Sequence, residues 1–131
     1  MRLPPPVAEL IGIDLVEAAG GECTMRLEAG EQHSNPMGTI HGGIICDLAD
    51  AAMGMAFFST LSDGESFTTL ELKVNFLRPF WTGTLVAHGK VLSRGRTVGL
   101  TECRVVDAQE RLIAHGTSTV MALRGSAAQG R

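Results

Sequence analysis

Residues 35–61 read NPMGTIHGGIICDLADAAMGMAFFSTL and combine two kinds of sequence. Asn35–Gly43 is a loop rich in glycine and polar side chains, whereas the residues that follow are almost all apolar. We predict that this apolar run is a helix of about 18 to 20 residues, roughly 27 to 30 Å long. Because apolar residues occur on every side of it, the helix is expected to be buried on all sides. It is therefore predicted to be the core, with the rest of the chain wrapped around it.

Two carboxylates interrupt this helix, and neither Asp47 nor Asp50 has a Lys or Arg three or four residues further on. Asp47 lies near the helix start, where the dipole favours a negative charge, and Gly42 and Gly43 leave backbone N–H groups free for an anion or a carbonyl oxygen. Asp50 lies about two turns in, where a carboxylate is costly unless it is hydrogen-bonded. Either Asp50 reaches solvent or a neighbouring backbone, or it has a chemical function.

Composition excludes several classes of protein. A chain of 131 residues with 44% hydrophobic and 19% charged residues is expected to form a single soluble globular domain over residues 1–131. A net charge of -3, no Tyr and one Trp argue against a nucleic-acid partner. Three widely separated cysteines predict reduced thiols and a cytoplasmic location. The first twenty residues lack the uninterrupted apolar run of a signal peptide, and the two Asp residues argue against a membrane span.

The remaining elements follow from turn residues and alternation. Residues 1–8 are predicted to be an extended lead-in, with one helical turn over Val7–Ile11, and residues 125–131 a disordered tail. Gly20-Gly21 indicates a hairpin. In the strand after the helix, alternation puts Leu70, Leu72, Val74 and Phe76 on one face and Thr69, Glu71, Lys73 and Asn75 on the other. The predicted strands are Ile13–Ala18, Glu22–Leu27, Thr69–Leu77, Leu85–Leu92, Thr97–Val106 and Arg111–Leu123. One helix among such strands predicts an α+β fold with an antiparallel sheet of five or six strands.

The motif in the quoted stretch agrees with a known arrangement of one helix wrapped by such a sheet. It consists of Asn35, Gly38, His41-Gly42-Gly43, Leu48 and Asp50, followed by a strand that ends Asn75-Phe76-Leu77-Arg78-Pro79. This pattern resembles the PaaI-like acyl-CoA thioesterases of the hotdog superfamily, over roughly Gly12 to Leu123. HGG alone would be weak, whereas HGG with an upstream Asn and an Asp eight residues after Gly42 is specific.

The resemblance implies roles for individual residues. Asp50 would be the catalytic carboxylate, as general base on water or as nucleophile on the thioester, and the Gly42 N–H would bind the oxyanion, which suits an acyl transfer. Asn35 and His41 would be polar residues around the carbonyl and the attacking water. Thr69, with Thr68 as the alternative, would position that water from the partner subunit. Without the motif, His41 would more simply cap the loop.

Other parts of the chain give weaker indications. Gly43 is counted with the substrate-binding backbone, and the basic turn Arg94-Gly95-Arg96 would receive the phosphates of coenzyme A or would be only a solvated turn. The four histidines and three cysteines show no metal-ligand spacing, so neither a metal nor a cofactor is predicted, coenzyme A being part of the substrate. Cys46 lies within the apolar helix, which disfavours it as a nucleophile.

Two functions remain in view: hydrolysis of acyl-CoA thioesters, and binding of acyl-CoA as a ligand or regulator without catalysis. A hotdog dehydratase fits less well, because HGG is not the pattern of those relatives. The acyl group stays open, since Met53, Met55, Phe57 and Phe58 would either line its pocket or fill the core. An unpaired sheet edge predicts a two-fold homodimer, or a dimer of dimers, with Gly42 and Asp50 from one subunit and Thr69 from the other.

Overall fold

The computed structural model describes all 131 residues as one six-stranded antiparallel sheet with one long helix across it. The helices are α1 (Pro6–Ile11) and α2 (Gly42–Phe58). The strands are β1 (Ile13–Ala19), β2 (Glu22–Ala29), β3 (Ser66–Phe76), β4 (Gly83–Arg94), β5 (Val98–Asp107) and β6 (Leu112–Leu123), in the order β1-β2-β4-β5-β6-β3. The predicted α+β hotdog arrangement is confirmed, and the strand bounds differ from the predicted ones by a few residues. Short 3-10 turns occupy Glu31–His33 and Gly125–Ala128.

The helix α2 lies against the sheet at very short range. A Cβ placed on Gly89, in the middle of β4, would be 2.4 Å from the Ala52 carbonyl oxygen. Only a glycine therefore allows the helix backbone to approach the strand so closely. The helix residues on this side are fully or almost fully buried: Ile45, Leu48, Ala49, Ala52, Met53 and Ala56.

The prediction that α2 is buried on all sides is wrong for the single chain. The opposite face of the helix carries Asp47, which is exposed, and Asp50, Ala51 and Met55, which are half-buried. The physical reason is that one sheet covers one side of a helix, and the short N-terminal segment covers only part of the other. None of the helices is both long and apolar enough to span a membrane.

A β-bulge in β3 changes the orientation of the residues on either side of it. The register runs Thr69 opposite Val120 and then Glu71 opposite Thr119, so Leu70 is the extra residue. As a result Thr69 lies on the same face as Leu72, Val74 and Phe76, the face towards α2. The predicted strict alternation, which placed Thr69 on the opposite face, is therefore wrong at this position.

The strand β3 is an edge of the sheet, and the other edge is β1. Three exposed apolar side chains, Leu70, Leu72 and Phe76, lie on β3, and Leu77 follows directly after it. An edge strand with this much exposed apolar surface is normally paired or covered in native proteins. The sheet thus ends, beside α2, in a strand able to pair with another chain.

Candidate functional site

Asp50 lies on the flank of α2 that is next to the edge strand β3, and it is half-buried. The Thr69 hydroxyl donates a hydrogen bond of 3.4 Å to Asp50 Oδ1. Burial raises the pKa of the Asp50 carboxyl above its ordinary value, the Thr69 hydrogen bond opposes this, and the charge of Asp47 adds to the rise. The site therefore holds a carboxylate that binds a proton more readily than a solvated Asp.

The structure corrects the origin of the threonine hydroxyl. It was expected from the partner subunit, but Thr69 of the same chain contacts Asp50. The reason is that β3 follows α2 after a short turn and runs antiparallel to it, so that Phe67 lies beside Gly54 and Phe76 lies beside Gly42. Of the two candidates, Thr69 faces the helix, whereas Thr68 pairs with Met121 in the register that faces away from it.

The beginning of α2 presents a free backbone donor. His41 is the N-cap residue, and its Nδ1 accepts a hydrogen bond of 3.0 Å from the Gly43 N–H. The Gly42 N–H, which belongs to the first helical residue, has neither an intrahelical acceptor nor this cap. Gly42 is thus suited to bind an oxyanion, whereas the Gly43 N–H is already occupied. His41 takes the capping role that was considered for it, through a backbone N–H rather than a carbonyl.

Asn35 organises the loop before α2. Its Oδ1 accepts hydrogen bonds from the backbone N–H groups of Met37 (3.0 Å) and Thr39 (3.2 Å), and its Nδ2 donates to Thr39 Oγ1 (2.7 Å). The backbone closes the same turn, since the Asn35 N–H donates to the Thr39 carbonyl at 2.7 Å. Asn35 therefore fixes the loop that leads to Gly42, with one Nδ2 hydrogen left to reach a ligand.

The predicted site residues lie around two separate cavities. A cavity of about 590 Å³ is lined by Asp50 and Thr69, and one of about 340 Å³ is lined by Asn35 and Gly42. Asp50 is the eighth residue after Gly42 along α2, an axial distance of about 12 Å at ~1.5 Å per residue. One chain therefore cannot bring its own Gly42 N–H and its own Asp50 to a single carbonyl group.

The basic turn lies away from both cavities. Arg94 is held against the end of α2, with its guanidinium 4.6 Å from the Phe57 ring centroid and its Nε donating to Thr60 Oγ1 at 3.0 Å. Gly95 and Arg96 are exposed. Arg94 thus stabilises the helix end in this chain, and only Arg96 presents a side chain that is free to meet a phosphate.

The cysteines are free thiols, and burial raises their pKa values, to about 11 for Cys23 and about 12 for Cys103. Burial, Asp47 and Asp50 all raise the pKa of Cys46, so the thiol beside the catalytic candidates is held protonated. No three His, Cys, Asp or Glu side chains come together as a metal site would require.

Sequence reasoning missed part of the lining of the larger cavity. Of the four apolar candidates on α2, Met55 lines it, whereas Met53 and Phe57 are fully buried in the core and the half-buried Phe58 packs against Phe67. The lead-in and α1, which had been given no function, supply much of the wall. The sequence did contain a pattern that predicts this wall. Val7, Ala8 and Ile11 are spaced so that they lie on one side of a helical turn and form an apolar face.

Comparison with known proteins agrees with this architecture. The sequence profile of the thioesterase superfamily matches residues 37–114. Human acyl-coenzyme A thioesterase 13 is 31% identical over 109 residues, which are 82% of this chain and 77% of the human protein.

Two solved structures are also similar. A conserved protein of Pseudomonas aeruginosa has a TM-score of 0.87 and 31% identity, covering 91% of this chain and 94% of the other. The PaaI protein from the phenylacetic acid degradation operon of E. coli has a TM-score of 0.86 and 26% identity, covering 93% and 87%. The chain belongs to the thioesterase superfamily, and the predicted resemblance to its PaaI-like members is confirmed.

Proposed function

We propose that this chain hydrolyses acyl-CoA thioesters to the free acid and coenzyme A, with Asp50 as the catalytic carboxylate. The observation that carries the proposal is a half-buried Asp50, hydrogen-bonded by Thr69, at the wall of a cavity of about 590 Å³. A volume in this range suits a small-molecule pocket, for which roughly 300 to 1,000 Å³ is usual. Superfamily membership supports thioester hydrolysis in general.

Asp50 would act on water or on the thioester itself. As a general base it accepts a proton from water while the water oxygen attacks the thioester carbon, and the carbonyl oxygen becomes an oxyanion bound by the Gly42 N–H. When the C–S bond breaks, the thiolate of coenzyme A leaves and takes up a proton. As a nucleophile Asp50 would attack the carbon directly, and water would then hydrolyse the acyl-enzyme.

The two halves of this machinery would come from different copies of the chain. Gly42 and Asp50 are about 12 Å apart along α2, too far for one carbonyl carbon. If two β3 edges pair antiparallel across a two-fold axis, the two α2 helices lie antiparallel on one continuous sheet. Asp50 and Thr69 of one subunit then face Gly42 and Asn35 of the other. This assignment replaces the expected one, in which Gly42 and Asp50 shared a subunit, and makes the homodimer the smallest active unit.

A non-catalytic acyl-CoA-binding protein is the alternative. A binding module does not need a half-buried carboxylate whose pKa is raised by burial. A general base gains from a raised pKa, because it then accepts a proton more readily. The raised pKa of Asp50 therefore favours the enzyme.

The test is thiol release from a panel of acyl-CoA thioesters, with the variant Asp50→Asn. We expect turnover of at least one acyl-CoA, and a loss of about 10²- to 10⁴-fold in Asp50→Asn, the usual range for a lost general base. Asp63→Asn, the same change in an exposed turn, is the matched control and should retain activity. Binding without release of thiol, or full turnover by a folded Asp50→Asn protein, would contradict the proposal.

A further inference from the structure

The cavity beside Asp50 is closed on one side by a segment outside the thioesterase profile. This segment is residues 3–11, and the profile begins at residue 37. Its residues at the cavity are Leu3, Pro4, Pro5, Val7, Ala8 and Ile11. All six are apolar, so this wall offers contact with hydrocarbon and no hydrogen-bond donor from a side chain.

The inner end of the wall has a defined position. The buried His33 ring accepts a hydrogen bond from the Gly30 N–H at Nδ1 (3.1 Å) and donates from Nε2 to the Ile11 carbonyl (2.7 Å). Ala8, one turn earlier, is only 9% exposed and packs in the main core. Val7 is 54% exposed, and Leu10, on the outer side of the same helix, is 85% exposed. A change at Ala8 would therefore alter the cavity, whereas a change at Leu10 would not.

The facing wall is formed by α2 and β3. Ala51, Gly54 and Met55 line it, with the Phe67 ring against Gly54. A methyl group at Gly54 would lie 3.0 Å from Phe67 Cε2, so this side is already packed at its limit. Space for an acyl group is therefore bounded by a tight wall on one side and by residues 3–11 on the other.

The charges around the cavity are all of one sign. Asp14, Asp47 and Asp50 line it, and no Lys, Arg or His does. An anionic group that entered would lose its hydration and meet three carboxylates without a cation to pair with.

We infer that residues 3–11 form the acyl-selecting wall of this pocket, that Ala8 limits the size of the acyl group, and that the pocket takes uncharged apolar acyl groups and rejects acyl groups ending in a carboxylate. The inference rests on the proposed function for the identity of the ligand. It adds a specificity determinant and a substrate class to it.

The test measures binding of S-alkyl-CoA thioethers, which cannot be hydrolysed, by calorimetry. Octyl-CoA and butyl-CoA are compared in the wild type and in Ala8→Leu. The added carbon atoms of Leu occupy space that only the longer chain needs. The Kd of octyl-CoA should therefore rise relative to that of butyl-CoA by about 10-fold or more, the lower range for one methylene in an apolar pocket.

A second pair of variants covers the case in which Ala8→Leu does not fold. Val7→Ala removes two methyl groups from the half-exposed part of the wall, and should shift the same ratio against octyl-CoA by about four-fold, the value of one buried methylene. Leu10→Ala makes a similar truncation on the outer side of the same helix and should leave the ratio unchanged.

The charge rule is tested in the wild type with hexyl-CoA and S-(5-carboxypentyl)-CoA. The carboxylate should weaken binding by about 10²-fold, because it is desolvated beside like charges. Equal binding of hexyl-CoA and S-(5-carboxypentyl)-CoA, a wild-type octyl-to-butyl ratio in a folded Ala8→Leu, or a wild-type ratio in Val7→Ala would each overturn the inference. Since binding is measured without turnover, a protein that shows these ratios but hydrolyses no acyl-CoA would contradict the proposed function alone.

Discussion

Asp50 is a carboxylate whose charged form the fold disfavours. Its pKa in the folded chain lies above the ordinary value of 3.8, first because of burial. The folded state therefore binds a proton at Asp50 more tightly than the unfolded state does. The contribution of Asp50 to stability is fully present below its unfolded pKa and is lost as the pH rises through the folded pKa.

This pH dependence of stability leads to a prediction for the variant Asp50→Asn. Asparagine resembles the protonated acid, so the variant should be more stable than the wild type at pH 7, and the difference should vanish as the pH falls below about 3.8. Thermal unfolding of both proteins from pH 3 to pH 8 measures it. A variant that is less stable than the wild type at pH 7 would show that Asp50 makes stabilising contacts as an anion.

The hydroxyl of Thr69 acts in the opposite direction, because its hydrogen bond lowers the pKa of Asp50. We predict that Thr69→Val raises that pKa further and moves the acid limb of the kcat/KM profile to higher pH, since the rate requires ionised Asp50. Thr68→Val is the matched control, because Thr68 faces away from the helix. If the acid limb of Thr69→Val stays in place or moves to lower pH, the hydrogen bond from Thr69 to Asp50 does not lower the pKa of Asp50.

At the scale of single elements, the position of α2 depends on the backbone of β4. We predict that Gly89→Ala destabilises the protein by about 3 kcal/mol or more, the upper range for overpacking, because its Cβ would lie 2.4 Å from the Ala52 carbonyl oxygen. Lys90→Ala, the neighbouring exposed position, should change the free energy of unfolding by less than about 0.5 kcal/mol. Urea denaturation compares the two, and equal stabilities would mean that the helix shifts freely.

The strand β3 shows why a local pattern misplaced a functional side chain. Alternation from Thr69 to Leu77 assumes two residues per repeat throughout, but Leu70 is an extra residue between Thr69 and Glu71. The bulge arises from pairing with β6, about fifty residues further along the chain. The sequence of β3 alone therefore does not predict it. Because of the bulge, Thr69 lies on the face of β3 that is towards α2, together with Leu72, Val74 and Phe76, and its hydroxyl reaches Asp50.

At the scale of the whole molecule, the separation of Gly42 and Asp50 predicts which inactive variants complement one another. Gly42→Pro removes the N–H donor at the first helical position, where proline is well accepted, and the half-exposed Phe76 ring beside it has room to move. Mixed under exchange conditions with Asp50→Ala, it should restore about one quarter of wild-type activity, because half of the dimers are hybrid and one of their two sites is intact.

The pair Asp50→Ala and Thr69→Ala is the contrasting mixture. Both residues belong to one half-site, so every site of a hybrid carries a defect and no activity should return. Native mass spectrometry verifies that the chains have exchanged. Recovery in this second mixture, or none in the first despite exchange, would contradict a site that joins Asp50 of one subunit to Gly42 of the other.

The sequence by itself determined the elements and the motif. The apolar run after Gly43 identified α2, the turn residues separated the strands, and Gly20-Gly21, both with positive φ, formed the expected hairpin. These features depend on the periodicity of neighbouring residues and on local backbone preferences, which can be read within a short window. The spacing from Asn35 to Asp50 likewise identified the family.

Only the tertiary structure decided how those elements meet. It exposed one face of α2, turned Thr69 inward, occupied the Gly43 N–H with His41, and brought residues 3–11 to the cavity beside Asp50. Apart from the local His41 cap, each of these results depends on contacts between segments that are distant in sequence, such as β3 with β6 and the N-terminal residues with β1 and the cavity beside α2. A linear pattern records which side chains are present and how they alternate, but pairing across the sheet sets which of them share a face and a cavity.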